Sequence, residues 1–275
     1  MTAGPVGSAI FLLGSEGQTM GRIFDSHAHY DDAAFDADRD ELLTALPDMD
    51  VGAVITNAVD VASAHRCIAL AQRYPYIRVA VGIHPEEVGK ATDDHLTQIA
   101  SLCAHPAVCA VGEIGLDYHY EDAAPKEEQI AWFRRQLALA GEKNLPVVVH
   151  DRDAHEDTMT LLREYRPRGV VHCFSGSVEM MREVVGLGMY IGLGGVTTFK
   201  NARRPLEVAK AVPLDRLLLE TDAPYLAPEP LRGQRCHSGL IAHTAACIAA
   251  AREMPVDDLL RITYDNACRL FEVNL

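Results

Sequence analysis

The chain has 275 residues, 48% of them hydrophobic and 23% charged, the composition of an ordinary globular enzyme and long enough for one large barrel domain. Its formal charge of −14 excludes general electrostatic attraction to nucleic acid, so an anionic substrate would need local cations, either metal ions or a few Lys and Arg. No apolar run reaches the roughly 18 residues of a membrane-spanning helix.

The first twenty residues hold a brief apolar stretch over 9–13, but no Lys or Arg precedes it, as a secretory signal would require. Residues 1–19 are therefore expected to form an extension outside the fold, with one domain over 20–275. In chain order, the first apolar run predicts a strand over 22–25 that leads into Asp25-Ser26-His27-Ala28-His29. A strand over 51–57 and an amphipathic helix over 60–73 come next. A strand over 77–82, ending in Gly82-Ile83-His84-Pro85, precedes a helix over 93–104. The strand over 108–113 closes on Glu113, and a helix over 126–143 separates it from a strand over 146–150 that closes on His150. After a helix over 155–165, the strand over 169–172 closes on His172. A helix over 178–187, a strand over 190–193 and a helix over 205–211 lead to the last strand, over 217–220, with Asp222 just beyond it. Helical segments over 243–252, 257–262 and near 266–271 complete the chain.

Eight strands alternating with helices, without a break in composition, predict an α/β fold, a (β/α)8 TIM barrel in a single domain. A doubly wound sheet would carry a Gly-rich phosphate loop after its first strand, where His27-Ala28-His29 stands instead. Seven cysteines, an odd number with no CxxC pair, fit free thiols in a reducing compartment, and a cytoplasmic location is expected.

In such a barrel the C-terminal ends of all strands meet on one face, so residues distant in sequence converge there. His27 and His29 are one residue apart and point to the same side of an extended chain. With Glu113, His150, His172 and Asp222 they make six nitrogen and oxygen ligands, more than the three protein ligands of a catalytic zinc. Two divalent ions use the set better, with Glu113 as the bridge, His27, His29 and Asp222 completing one ion, and His150 and His172 the other. A mixed imidazole and carboxylate shell suits zinc, manganese or iron, with Mg2+ acceptable if waters complete it.

The motifs around these ligands resemble the TatD family of metal-dependent deoxyribonucleases. The matching stretches are FDSHAHY (24–30), VGIHP (81–85), VGEIGLDY (111–118), LPVVVHDRDA (145–154), HCFSGS (172–177), GGVTTFKN (194–201) and LLLETDAPYLAP (217–228). The similarity runs from about Met20 to Phe271. It implies a barrel with a dinuclear site that hydrolyses DNA phosphodiesters, commonly from the 3′ end, with DNA as substrate and neither membrane nor obligate protein partner. Several amidohydrolase groups place a Lys where this chain has Glu113, and those groups are disfavoured. The catalytic residues expected are Asp222, both ligand and acceptor of the water's proton, and Glu113. Arg152, Lys200, His84 and Arg235 are the expected substrate contacts, and Tyr118 and Tyr225 offer rings to a base.

One departure concerns the loop after the last strand. Many relatives carry Arg-Asn-Glu-Pro there, and this chain has Arg232-Gly233-Gln234-Arg235-Cys236-His237-Ser238, so substrate preference is expected to differ. Cys236 and His237 would form an additional metal pair only if the six ligands were insufficient. Two rival readings share the barrel: a hydrolase of a small ester, lactone or cyclic amide, and a barrel that binds metal or a partner without turnover.

Overall fold

Eight strands lie parallel in a single sheet whose spatial order is the order of the chain. They are β1 (Ile23–Ala28), β2 (Val51–Asn57), β3 (Ile77–Val81), β4 (Val108–Asp117), β5 (Val147–Arg152), β6 (Gly169–Val171), β7 (Tyr190–Leu193) and β8 (Leu217–Leu219). The computed structural model describes residues 23–120 and 122–273, so the extension expected over 1–19 lies outside the described residues. The strands read as nearly continuous apolar runs because both faces are covered, as a parallel sheet requires.

Helices α1 (Arg39–Ala45), α2 (Val61–Arg73), α3 (Asp93–Leu102), α4 (Lys126–Lys143), α5 (His155–Tyr165), α6 (Val178–Gly186), α7 (Arg203–Ala211), α8 (Ile241–Ala251) and α9 (Val256–Phe271) follow the strands. The α1 helix was not among the expected elements. The two helical segments expected over 257–262 and 266–271 are one helix, α9. The polar residues that break its apolar pattern are accommodated, since Thr263 is buried and donates its hydroxyl to the Leu259 carbonyl at 2.9 Å. No helix among the described residues is long and apolar enough to cross a membrane.

A second apolar cluster, with Phe24, Ile55, Ala80, Ala110, Val148, Val170, Tyr190 and Leu218, draws on every strand and so fills the barrel interior. Leu270 and Phe271 of α9 join it, the Phe271 ring stacked 6.2 Å from that of Phe24, so α9 closes the end where the strands begin. The other end is left for polar side chains.

The seam between β1 and β8 has no regular ladder. Backbone bonds made just past the strands close it, His29 N to Ala223 O at 2.7 Å and Asp222 N to His27 O at 2.9 Å. These two bonds set His27 and His29 beside Asp222.

Candidate metal centre

The six expected ligands meet at the C-terminal end of the barrel. β1 runs three residues beyond its expected end and carries His27, while His29 follows immediately. Glu113 lies inside β4, which continues to Asp117, and His150 lies inside β5, which continues to Arg152. His172 stands one residue beyond β6 and Asp222 three residues beyond β8, where the backbone turns with φ of 64°.

Glu113 is the pivot. Its Oε2 lies 3.2 Å from His27 Nε2 and 3.3 Å from His29 Nε2, and Asp222 Oδ1 is 3.6 and 3.5 Å from the same two nitrogens. Its Oε1 lies 2.7 Å from His172 Nε2 and 2.8 Å from His150 Nδ1. One oxygen of one carboxylate thus faces each group of imidazoles. His84 Nε2 approaches Oε1 at 3.5 Å, so His84 sits at the centre itself.

Electrostatics follow from this crowding. Burial opposes a charge on Glu113, yet the imidazoles of His172, His27 and His84 hold its carboxyl well below the usual carboxylate range. Burial and the neighbouring His172 push His27 down to about 4, leaving that ring neutral at pH 7. Burial also opposes a charge on His150, but hydrogen bonds to Asp117 and Glu113 outweigh it and push the ring up to about 10. His29 is likewise raised, against burial, by Asp222 and Glu113. Buried anions packed among imidazoles are the signature of a cation site, because a buried carboxylate cluster without one is costly. Hard oxygen and borderline nitrogen donors in this ratio fit divalent cations such as Zn2+, Mn2+ or Mg2+.

Further side chains hold the ligands, and sequence reasoning missed them. Asp117 Oδ2 lies 2.9 Å from His150 Nε2, which fixes the ring so that Nδ1 faces Glu113. The Asn57 carbonyl plays the same part for His29 Nδ1 at 2.9 Å. Behind His172 lies Glu220, whose carboxyl burial pushes up to about 8 and which accepts a bond from the Cys173 backbone N–H. Gly192 makes room for it: a methyl group there would overlap Glu220 Oε2 and press on His172. Asp25 is fully buried and pushed up to about 6 by burial, although Thr221 and Ser238 donate hydroxyls to it at 2.7 Å. The sequence did carry a signal for Asp117 and Glu220, since both fall inside the motifs GEIGLDY and ETDAP, but spacing alone assigns them no role.

The centre opens into a cleft of ≈ 1290 Å³ lined by loops that follow the strands. Arg152 lines it from the last position of β5, not from a loop, with its guanidinium 5.0 Å from the exposed Tyr120 ring. Tyr225 lines it too, 54% exposed, its hydroxyl donating to Asp32 at 2.9 Å. The other expected contacts are placed differently. Arg235 does not line the cleft, because its guanidinium is bonded to Asp38 at 2.5 and 2.6 Å and to the Ala34 carbonyl. Lys200 is exposed between Phe199 and Asn201, which line the cleft while Lys200 does not. Tyr118 is held by Asp157 and covered by Lys126, away from the opening. Among the described residues Cys236 and His237 join no group of metal-ligating side chains.

Comparison with known proteins points to one family. The family model described as TatD related DNase matches residues 24–272. The uncharacterized metal-dependent hydrolase YabD of Bacillus subtilis is 41% identical, over 92% of this chain and all of its own. A protein of Musicola paradisiaca named 3'-5' ssDNA/RNA exonuclease TatD is 34% identical, over 91% of this chain and 98% of its own. Among solved structures, the Escherichia coli TatD homologue YjjV superposes with a TM-score of 0.88 at 34% identity, covering 93% of this chain and all of that one.

Proposed function

This chain belongs to the TatD-related DNase family, and from that premise we propose that it is a dinuclear metal-dependent nuclease that removes nucleotides from the 3′ end of DNA. Metal-dependent hydrolysis is the chemistry of the family; the substrate, the polarity and the two-ion count are our reading. The observation that carries it is the division of Glu113, with Oε2 turned to His27 and His29, the pair that Asp222 also faces, and Oε1 turned to His150 and His172. The relative named as a 3'-5' ssDNA/RNA exonuclease supports the polarity and a single-stranded substrate.

His27, His29, Asp222 and Glu113 would hold one ion, and Glu113, His150 and His172 the other. Bound there, the two cations would lower the pKa of a water and neutralise the reacting phosphate. Asp222 directs Oδ1 at His27 and His29, and its remaining oxygen is the base that takes the proton of the attacking water. We assign His84, whose Nε2 lies 3.5 Å from Glu113 Oε1 at the centre, the role of donating to a phosphate oxygen. Arg152 supplies a fixed positive charge beside it. Seven free cysteines support a reducing, cytoplasmic setting.

The test is cleavage of 5′-labelled single- and double-stranded DNA, and of RNA, with Mn2+, Mg2+ or Zn2+ supplied in turn. A ladder shortening from the 3′ end is expected. Asp222→Asn should lose at least about a hundredfold in kcat, the lower range for a positioned proton acceptor, and Glu113→Ala should lose metal as well. Cleavage surviving in both variants, or turnover of lactones and amides with no action on DNA, would overturn the reading.

A further inference from the structure

The walls of the cleft carry opposite charge. On the arc after β1 and β3 stand Asp31, Asp32, Asp36, Glu86 and Glu87, against only Arg39 and Arg66. Both arginines are already engaged, Arg39 with Asp36 at 2.6 Å and Arg66 with Asp31 at 2.9 Å. On the arc after β5, β7 and β8 stand Arg152, Arg204 and Arg232, against Asp151 and the centre's own Asp222. Asp151 is taken by His155 at 2.8 Å. Arg204 is exposed and makes no ion pair among the described residues, whereas its neighbour Arg203 is tied to Glu207 at 3.0 Å. Arg232 makes no ion pair among the described residues and lies over the Phe199 ring at 4.3 Å.

Within a Debye length of about 10 Å at 0.1 M salt, such local charges outweigh the chain's overall −14 in guiding a polyanion. Resting on the polynucleotide reading above, we infer that the strand leaves the metal centre across the arc after β5, β7 and β8, where Arg204 and Arg232 bind phosphates beyond the reacting one and Phe199 stacks a base. Among the described residues none of the three arginines makes an ion pair, Arg152 donating only to the Tyr120 hydroxyl at 3.1 Å, so a phosphate meets them without breaking one. The opposite arc, where Lys90 pairs with Glu87 at 2.9 Å, keeps Asp32 and Glu86 without an ion pair among the described residues and repels the strand. Phe199 lines the cleft half-buried, with the Arg232 guanidinium over one face of its ring, so an aromatic ring and a cation stand together, the pairing used for sequence-tolerant binding of single strands.

The experiment compares an oligonucleotide of about ten nucleotides, long enough to cross the arc, with a small aryl phosphodiester that reaches only the centre. The double variant Arg204→Ala with Arg232→Ala should lower the ratio of oligonucleotide to small-diester kcat/KM by about tenfold or more, through KM. The slope of log affinity against log salt should flatten by about 1.4 for two lost phosphate contacts. Glu86→Gln with Glu87→Gln on the other arc should not weaken oligonucleotide binding. An unchanged ratio, or a larger loss from the glutamate pair than from the arginine pair, would overturn the inference. Fluorescence anisotropy with a cleavage-resistant phosphorothioate strand and Mn2+-loaded protein reads the arc independently of turnover. If the wild type cleaves nothing, the nuclease reading fails, and this arm still decides whether the arginines hold a strand.

Discussion

At the scale of single residues, the ligands depend on what stands behind them. His150 is the one imidazole that offers Nδ1 rather than Nε2 to Glu113, and it does so because Asp117 holds Nε2 at 2.9 Å. Asp117 is itself fixed, receiving the His119 backbone N–H at 2.9 Å while Gln129 bonds its backbone N–H at 2.9 Å. Asp117→Asn should therefore lower the metal affinity of the centre by about 10- to 100-fold, measured by isothermal titration with Mn2+ or Zn2+. The melting temperature without metal should move much less. Unaltered affinity would mean that Asp117 serves only the local chain. The convergence of the six expected ligands was legible in the sequence because each ends or closely follows an apolar run. Asp117 was not, since a carboxylate four residues past a ligand reads equally well as a solvated loop. Arg235 failed in the opposite direction: a basic residue on a loop near the mouth fits a phosphate contact until its partner, Asp38, is brought alongside from a segment nearly two hundred residues earlier.

Among elements, the β1–β8 seam is where sequence and structure part most. Strand order and number were legible from hydrophobic runs, and β2 and β7 match their expected bounds. The ends of β1, β4 and β5 were placed too early, because polar ligands and their neighbours remain extended and buried when they line a cavity. Closure at the seam rests on side chains. Ser238 donates to Asp25 at 2.7 Å and pairs with the Tyr30 hydroxyl at 2.7 Å, and Thr221 adds two further bonds to Asp25. The stretch Cys236-His237-Ser238, expected to tune substrate preference, is thus in part a clasp between the last loop and β1. Ser238→Ala leaves a buried carboxyl and a buried phenol each short of a partner. That should cost about 1–3 kcal/mol, read as a lower urea midpoint at an unchanged m-value. A loss under about 0.5 kcal/mol would show that Thr221 and the His27 backbone N–H satisfy Asp25 without Ser238.

For the whole molecule, the barrel packs an apolar interior against α9 at one end and assembles buried charge at the other, so its stability is tied to what occupies the centre. A ligand that binds only the folded state stabilises it by about 2.7 kcal/mol at a hundred times its Kd. For a chain of this length that is roughly 5–10 °C in melting temperature, lost on chelation. The size of the effect should depend on pH. Against the pull of burial, partner carboxylates raise His29, His150 and His172 above the ordinary imidazole value, His150 to about 10. A group raised in the folded state stabilises it fully below its unfolded value near 6.5 and ceases to do so as pH rises through the folded value. Metal-free protein therefore gains from these three rings at pH 6 and progressively loses that gain toward pH 9 and above. A cation must displace the same protons, so its apparent affinity climbs over the same interval. Melting curves with and without Mn2+, taken from pH 6 to pH 9, should diverge steadily as pH increases. A gap that is constant or narrows would mean that these rings are already neutral without metal, and that the carboxylates of Glu113 and Asp222 are neutralised in some other way.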